Sequence, residues 1–132
     1  MSNPRRAWGR RNHKLGLMAE DAAARHYEGL GGAVLARRWR PARAQADEAP
    51  GGEIDLVARV GGVIVFVEVK GGRAALTRDC ITPAQWARLE AAALRYMVLE
   101  QTGDAPVRFD AAFVGPDGAV DVVENARVIE AW

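Results

Sequence analysis

Gly61-Gly62 stands between two runs of apolar and β-branched residues, 53–60 and 63–70. Two-residue hairpin turns need positive φ, which glycine adopts at little steric cost. The dipeptide therefore reads as a hairpin turn, and the register follows by counting. Val60 faces Val63, and Arg59 faces Ile64. Further down the ladder Asp55 lies opposite Glu68, and Glu53 lies opposite Lys70. Side chains alternate with period two, so these four charged groups share one face. The other face carries Ile54, Leu56, Ala58, Val60, Val63, Val65, Val67 and Val69, and it reads as the core face.

Two carboxylates directly opposite each other repel, at roughly 0.2–1 kcal/mol. A divalent cation between them would reverse that cost, because hard cations take carboxylate oxygens. A plainer arrangement also fits. Glu53 and Lys70 could form a cross-strand ion pair, with Asp55 and Glu68 turned into water on an open sheet face. Hairpin geometry alone leaves both readings standing.

At 132 residues the chain is the size of one domain. With 49% hydrophobic residues it can bury a core, which excludes a disordered chain. No apolar run approaches the roughly 18 residues of a membrane span. The start, Met1 to Arg6, is basic without a following apolar segment, so no secretory signal and no membrane partner are expected. Cys80 is the single cysteine and cannot form an internal disulfide, which suits a reducing, cytoplasmic setting. The net charge of +1 conceals an asymmetry. Residues 1–43 hold ten Lys or Arg against three acids, and the remainder eight against fourteen. A basic first third can neutralise phosphates and steer an anionic polymer toward acidic groups. A solvated arm explains the same charge over residues 1–12.

Residues 1–12 read as a basic flexible arm, and 13–132 as a single domain. A first helix is expected from about Lys14 to Glu28, with Leu15, Met18, Ala22 and Tyr27 as its buried stripe. Ala33 to Arg40 reads as a strand, and Pro41 to Gly52 as a loop. The hairpin follows, then a second loop from Gly71 to Ile81. Thr82-Pro83-Ala84-Gln85 is a helix start: a capping threonine, a proline at the first helical position, and a glutamine that completes a capping box. That helix should face Trp86, Leu89, Ala93, Tyr96 and Met97 to the core and stop before Gly103. Val107 to Val114 and Ala119 to Val123 read as strands about a Pro116-Asp117-Gly118 turn. The order is α, three β, α, β, β.

An acidic residue on one strand followed by Glu-x-Lys on the next resembles the PD-(D/E)xK nuclease superfamily. Gly52-Glu53-Ile54-Asp55-Leu56 and Phe66-Val67-Glu68-Val69-Lys70 narrow the likeness to the bacterial YraN-like (UPF0102) family, which is similar to archaeal Holliday-junction resolvases. The helix segment Leu15 to Ala24, with Glu20, fits the same family, as do Arg88-Leu89 through Tyr96 and Arg108-Phe109-Asp110. The likeness runs from about Leu15 to about Glu130. Some positions depart from it. Ile54 precedes Asp55 where the superfamily has proline, and Ala19 stands where the family usually has glycine. Gly71-Gly72 follows Lys70 where Thr-Arg is common, which shifts a basic contact toward Arg73. Ala42 to Pro50 looks like an insertion.

The resemblance implies an α/β, restriction-endonuclease-like αβββαβ core: a mixed central sheet flanked by helices. It implies Mg²⁺ (or Mn²⁺) held by Asp55 and Glu68, with the Val69 carbonyl as a third ligand. Lys70 would orient the attacking water or offset charge in the transition state. Glu20 would be an outer ligand or water holder, and otherwise is an acid favoured by the helix dipole. Gln85 either reaches the site or serves only the capping box. Arg37, Arg38 and Arg40, with Trp39, could form a nucleic-acid surface together with Arg73; a core tryptophan with a solvated rim fits equally. Asp110 should be structural and near a sheet edge, and His13 and His26 have no ligand spacing. The implied activity is a Mg-dependent DNA endonuclease on branched or recombination DNA, working as a homodimer. The alternative is a nucleic-acid-binding accessory protein that keeps the nuclease fold without cutting.

Overall fold

The computed structural model of the chain describes residues 4–41, 52–72 and 81–127, and side chains from Gly16 onward. The elements are α1 (Pro4–Gly29), β1 (Ala33–Trp39), β2 (Ile54–Val60), β3 (Val63–Gly71), α2 (Pro83–Leu99), β4 (Val107–Val114) and β5 (Val120–Arg127). The five strands form one sheet in the order β1-β2-β3-β4-β5. β3 and β4 run parallel, and every other neighbouring pair is antiparallel. A parallel pair needs a long crossover, and α2 supplies it. This is the mixed α/β arrangement expected, with the restriction-endonuclease-like element order.

The Gly-Gly hairpin forms as counted. Gly61 and Gly62 have φ of 56° and 82°, and Val60 pairs with Val63 and Arg59 with Ile64. The sheet differs from expectation in having two buried faces. Leu56, Ala58, Val65 and Val67 pack with Ala23, Ala24 and Tyr27 of α1. Val57, Ile64 and Phe66, from the face that carries the charges, pack with Leu89, Ala92, Ala93 and Tyr96 of α2. Ile54, at the first position of β2, joins this second cluster although its parity places it on the first. Between the helices the hairpin is almost entirely dry: Val57, Ala58, Ile64, Val65, Phe66 and Val67 are fully buried. Phe66 stacks on Phe109 and meets Tyr96 edge-on, which fixes α2 over the centre of the sheet.

α1 begins at Pro4, well ahead of the Lys14 start expected from the sequence. Its buried stripe includes the expected Ala22 and Tyr27 but is otherwise different, and the Leu15 side chain lies outside the described residues. Ala19, Ala22, Ala23, Ala24 and Tyr27 are buried, while Met18 is 56% exposed. Small side chains let the helix lie close to the sheet, and a stripe of alanines is weakly hydrophobic and easily passed over. α2 starts with the predicted capping box. The Thr82 hydroxyl accepts from the Gln85 N–H, and the Gln85 side chain accepts from the Thr82 N–H. The last strand runs to Arg127, beyond the Val123 expected. A bulge between Phe109 and Ala111, with Asn125 at φ 52°, accommodates the extra length.

Asp110 is fully buried within β4, the fourth strand of five, rather than near an edge. Its carboxylate accepts from the Tyr27 hydroxyl at 2.7 Å, from Arg108 Nε at 3.1 Å and from the Asn125 N–H at 3.0 Å. Burial and the adjacent Asp110 push the Tyr27 phenol well above its ordinary pKa. The expected structural role holds: this network pins α1, β4 and β5 together.

Candidate metal centre

Asp55 and Glu68 lie at the charged end of the hairpin, just beyond the buried Val57 and Phe66, with Glu20 of α1 and Arg88 of α2 both within electrostatic reach. The β2–β3 ladder ends with Leu56 paired to Val67, and Asp55 and Glu68 are the next residue along each strand. The Val69 N–H donates to Asp55 Oδ2 at 2.8 Å, which ties the Asp55 carboxylate to the β3 backbone. Lys70 Nζ stands 3.5 Å from Glu68 Oε1. Both side chains are largely covered, 21% and 17% exposed. Asp55, Glu68, Val69 and Lys70 are thus gathered in one place, at the start of β2 and the end of β3.

The electrostatics of the pair are unfavourable without a further cation. Burial, then the Glu68 charge, push the Asp55 carboxyl up to about 7. Burial also raises the Glu68 carboxyl, against the lowering pull of Lys70 and of Arg88 on α2. Both carboxyls are partly enclosed, and the Glu68 charge makes Asp55 harder to ionise. Among the described residues no group of three His, Cys, Asp or Glu side chains is arranged to hold a metal. The donor set is two carboxylates with neighbouring backbone, which suits an ion that keeps several waters.

Glu20 approaches from α1. It is 7% exposed, and its charge contributes to the raised Asp55 pKa. Its carboxylate is engaged: Arg38 Nε donates to Glu20 Oε2 at 2.7 Å. Gln85 spends its side-chain oxygen on the α2 cap. The remaining charges of this region are paired differently from the sequence reading. Glu53 does not meet Lys70; it forms an ion pair with Arg40, and Arg37 pairs with Asp21 of α1. Arg37, Arg38 and Arg40, considered above as nucleic-acid contacts, therefore all have acidic partners within the fold. Trp39 packs edge-on against Tyr96, on the apolar cluster under α2. Arg73 and the expected insertion Ala42 to Pro50 lie outside the described residues. Sequence reasoning missed two cations here. Arg88 falls one turn after the Gln85 cap, and helical spacing could have placed it beside the site. Nothing local marks Arg38 as the partner of Glu20.

A profile of the Uncharacterised protein family UPF0102 matches residues 19–114, which include every described element of the site. The UPF0102 protein of Ruegeria pomeroyi is 42% identical over 120 residues, covering 89% of this chain and 91% of its own. That of Roseobacter denitrificans is 40% identical over 130 residues, covering 95% and 92%. The cyanobacterial Gloeobacter violaceus has one 40% identical over 120 residues, covering 86% and 89%.

Proposed function

The chain belongs to the UPF0102 family, and from that premise we propose that it is a Mg²⁺- or Mn²⁺-dependent endonuclease hydrolysing phosphodiesters in DNA. The observation that carries this reading is the half-enclosed pair Asp55 and Glu68 at the end of the hairpin, with the Asp55 carboxyl raised by burial and by Glu68 and with Lys70 beside Glu68. Asp55 and Glu68 would hold the ion. The Val69 carbonyl would be the third ligand, on the residue whose N–H already donates to Asp55. When bound, the ion supplies a Lewis acid that acidifies water and offsets phosphate charge.

The protein's own groups do the rest. Lys70 presents an ammonium beside Glu68, where it can orient the attacking water and stabilise the charge that develops on the phosphoryl oxygens. The floor of Val57 and Phe66 keeps bulk water from the underside of the carboxylates and strengthens each charge interaction. Arg88 adds positive potential from α2. The preference for branched DNA rests on the resemblance to Holliday-junction resolvases, as does a symmetric dimer that would cut two related strands.

The test is cleavage of linear, nicked and four-way DNA with Mg²⁺ and with Mn²⁺, comparing wild type with Lys70→Ala. Divalent-dependent scission that vanishes in Lys70→Ala, with DNA binding retained, supports the reading. Binding to DNA without scission of any architecture would transfer the chain to the accessory class. Neither binding nor scission would sink both.

A further inference from the structure

Arg37 and Arg38 are consecutive in β1, and alternation should send their side chains to opposite faces of the sheet. Both instead reach α1: Arg37 pairs with Asp21 and Arg38 with Glu20. The break in alternation has a visible cause. Arg38 has φ of 49°, in the left-handed region that favours glycine and asparagine over a long side chain. Arg37 still pairs with Leu56 and Trp39 with Ile54, so the irregularity falls on Arg38 itself, the position across from Asp55. Backbone strain of this kind persists where the surroundings impose it, and it gathers at functional sites.

The redirected guanidinium enters a group of carboxylates. It bonds Glu20 at 2.7 Å, and it also feels the charges of Glu53 and Asp55. Gly16, one turn before Glu20, lies beside the guanidinium, where a Cβ would make an ordinary contact at 3.9 Å. Glu20 is 7% exposed and Arg38 is its bonded cation. The carboxylates Glu20, Asp55 and Glu68 are thus divided between two kinds of counter-charge. Arg38 takes Glu20, and the Asp55–Glu68 pair is left for the ion.

We propose that Arg38 is a resident cation that clamps Glu20 away from the Asp55–Glu68 pair and so restricts the centre to one divalent ion. The inference rests on the metal-dependent reading above and concerns which carboxylates that ion can use. Arg38 is a positioning residue: it acts through Glu20, by occupying it. Removing the guanidinium frees a third carboxylate within electrostatic reach of Asp55 and deletes a repelling charge. Both changes favour more cation, and tighter binding of the first.

The test is Mn²⁺ binding to the full chain, without nucleic acid, by calorimetry and by the free-Mn²⁺ paramagnetic resonance signal. Wild type is compared with Arg38→Asn, whose side chain tolerates the left-handed backbone, and with Arg38→Asn combined with Glu20→Gln, which leaves no uncompensated carboxylate; folding of each is checked by circular dichroism. Wild type is expected to bind one ion. Arg38→Asn should bind the first ion about tenfold more tightly at low ionic strength, and take up a second. The second ion should disappear in Arg38→Asn combined with Glu20→Gln. One ion at unchanged affinity in both wild type and Arg38→Asn overturns the clamp and leaves the metal-dependent reading intact. Binding by Arg38→Asn alone overturns the one-ion clamp, because the wild-type centre would then hold no ion. No binding by either protein overturns the clamp together with the metal centre.

Discussion

Replacing Asp55 with asparagine should make the metal-free protein more stable at neutral and higher pH. The Asp55 carboxyl sits at about 7 in the native state against an ordinary 3.8, through burial first and Glu68 second. Ionising it there costs up to about 4 kcal/mol, at roughly 1.4 kcal/mol per pH unit of displacement. The side chain is part-exposed, and solvent screening reduces this to about 2 kcal/mol. The sign follows from proton counting. Between about pH 4 and 7 the native state holds a proton that the unfolded chain has released, so wild-type stability falls as pH rises through that window. Above it the whole penalty is present; below it both states are protonated and the penalty is gone. Asparagine is never charged, and its amide oxygen can keep the 2.8 Å bond from the Val69 N–H. Thermal unfolding in chelator, followed by circular dichroism, should place Asp55→Asn roughly 6 °C above wild type at about pH 8. The gap should close near pH 4. Adding Mn²⁺ should raise wild type saturably, by roughly 2.7 kcal/mol at a hundred times Kd, and leave the variant unmoved. A variant less stable than wild type at about pH 8 in chelator, or an offset the same at both ends of the range, would refute this account of the pair.

Four further substitutions separate the site from its scaffold. Lys70→Ala should lower DNA cleavage by about 10²–10³-fold while the Mn²⁺-induced thermal shift persists, as read on gels and by melting. Asp110→Ala leaves Arg108 and the Tyr27 hydroxyl without their shared carboxylate, and should cost about 3–5 kcal/mol in urea unfolding without altering Mn²⁺ affinity. Thr82→Ala should cost about 1 kcal/mol through the lost cap, and Gln85→Ala should weaken the same helix start with no change in Mn²⁺ binding by calorimetry. A fall in Mn²⁺ affinity in Gln85→Ala would return that residue to the site.

The hairpin was legible because its information is local. Two glycines set the turn, the turn sets the register, and the register carries Asp55 and Glu68 to the first positions past the Leu56–Val67 pair. The start of α2 was legible for the same reason, since Thr82, Pro83 and Gln85 act within one turn. What escaped depends on packing between distant segments. The alanine stripe of α1 carries little periodic signal, so Met18 drew attention that Ala19 and Ala23 should have had. The charged face of the hairpin read as open because Asp55 and Glu68 are polar, yet Val57 and Phe66 on the same face are fully buried beneath α2. The arginines of β1 read as a basic rim because their acids lie on another element or across a loop. No alternation rule could send both Arg37 and Arg38 to α1, since that depends on one left-handed residue and a shift of register between Val34 and Ala36.

The two buried acid clusters of this fold differ in a way that decides their roles. Asp110 is the more deeply buried, with no exposure at all, and burial alone would mark it as the costlier charge. Yet Tyr27, Arg108 and the Asn125 backbone all donate to it, from three separate elements, and its oxygens have nothing left to offer a ligand. Asp55 and Glu68 have the opposite arrangement. They are less enclosed: Asp55 faces the Glu68 charge and is held by one backbone N–H, and the Lys70 ammonium stands 3.5 Å from Glu68. A saturated carboxylate is a structural element, because any added cation would have to displace donors that already satisfy it. An unsaturated pair at the mouth of a dry floor is a standing cost that a cation would convert into stabilisation. The same contrast places Glu20 between the two classes: saturated by one residue, Arg38, whose own backbone is held in an unfavourable region. Such a pairing is the easiest of the three to reverse, which is why counting ions in Arg38→Asn discriminates where counting carboxylates cannot.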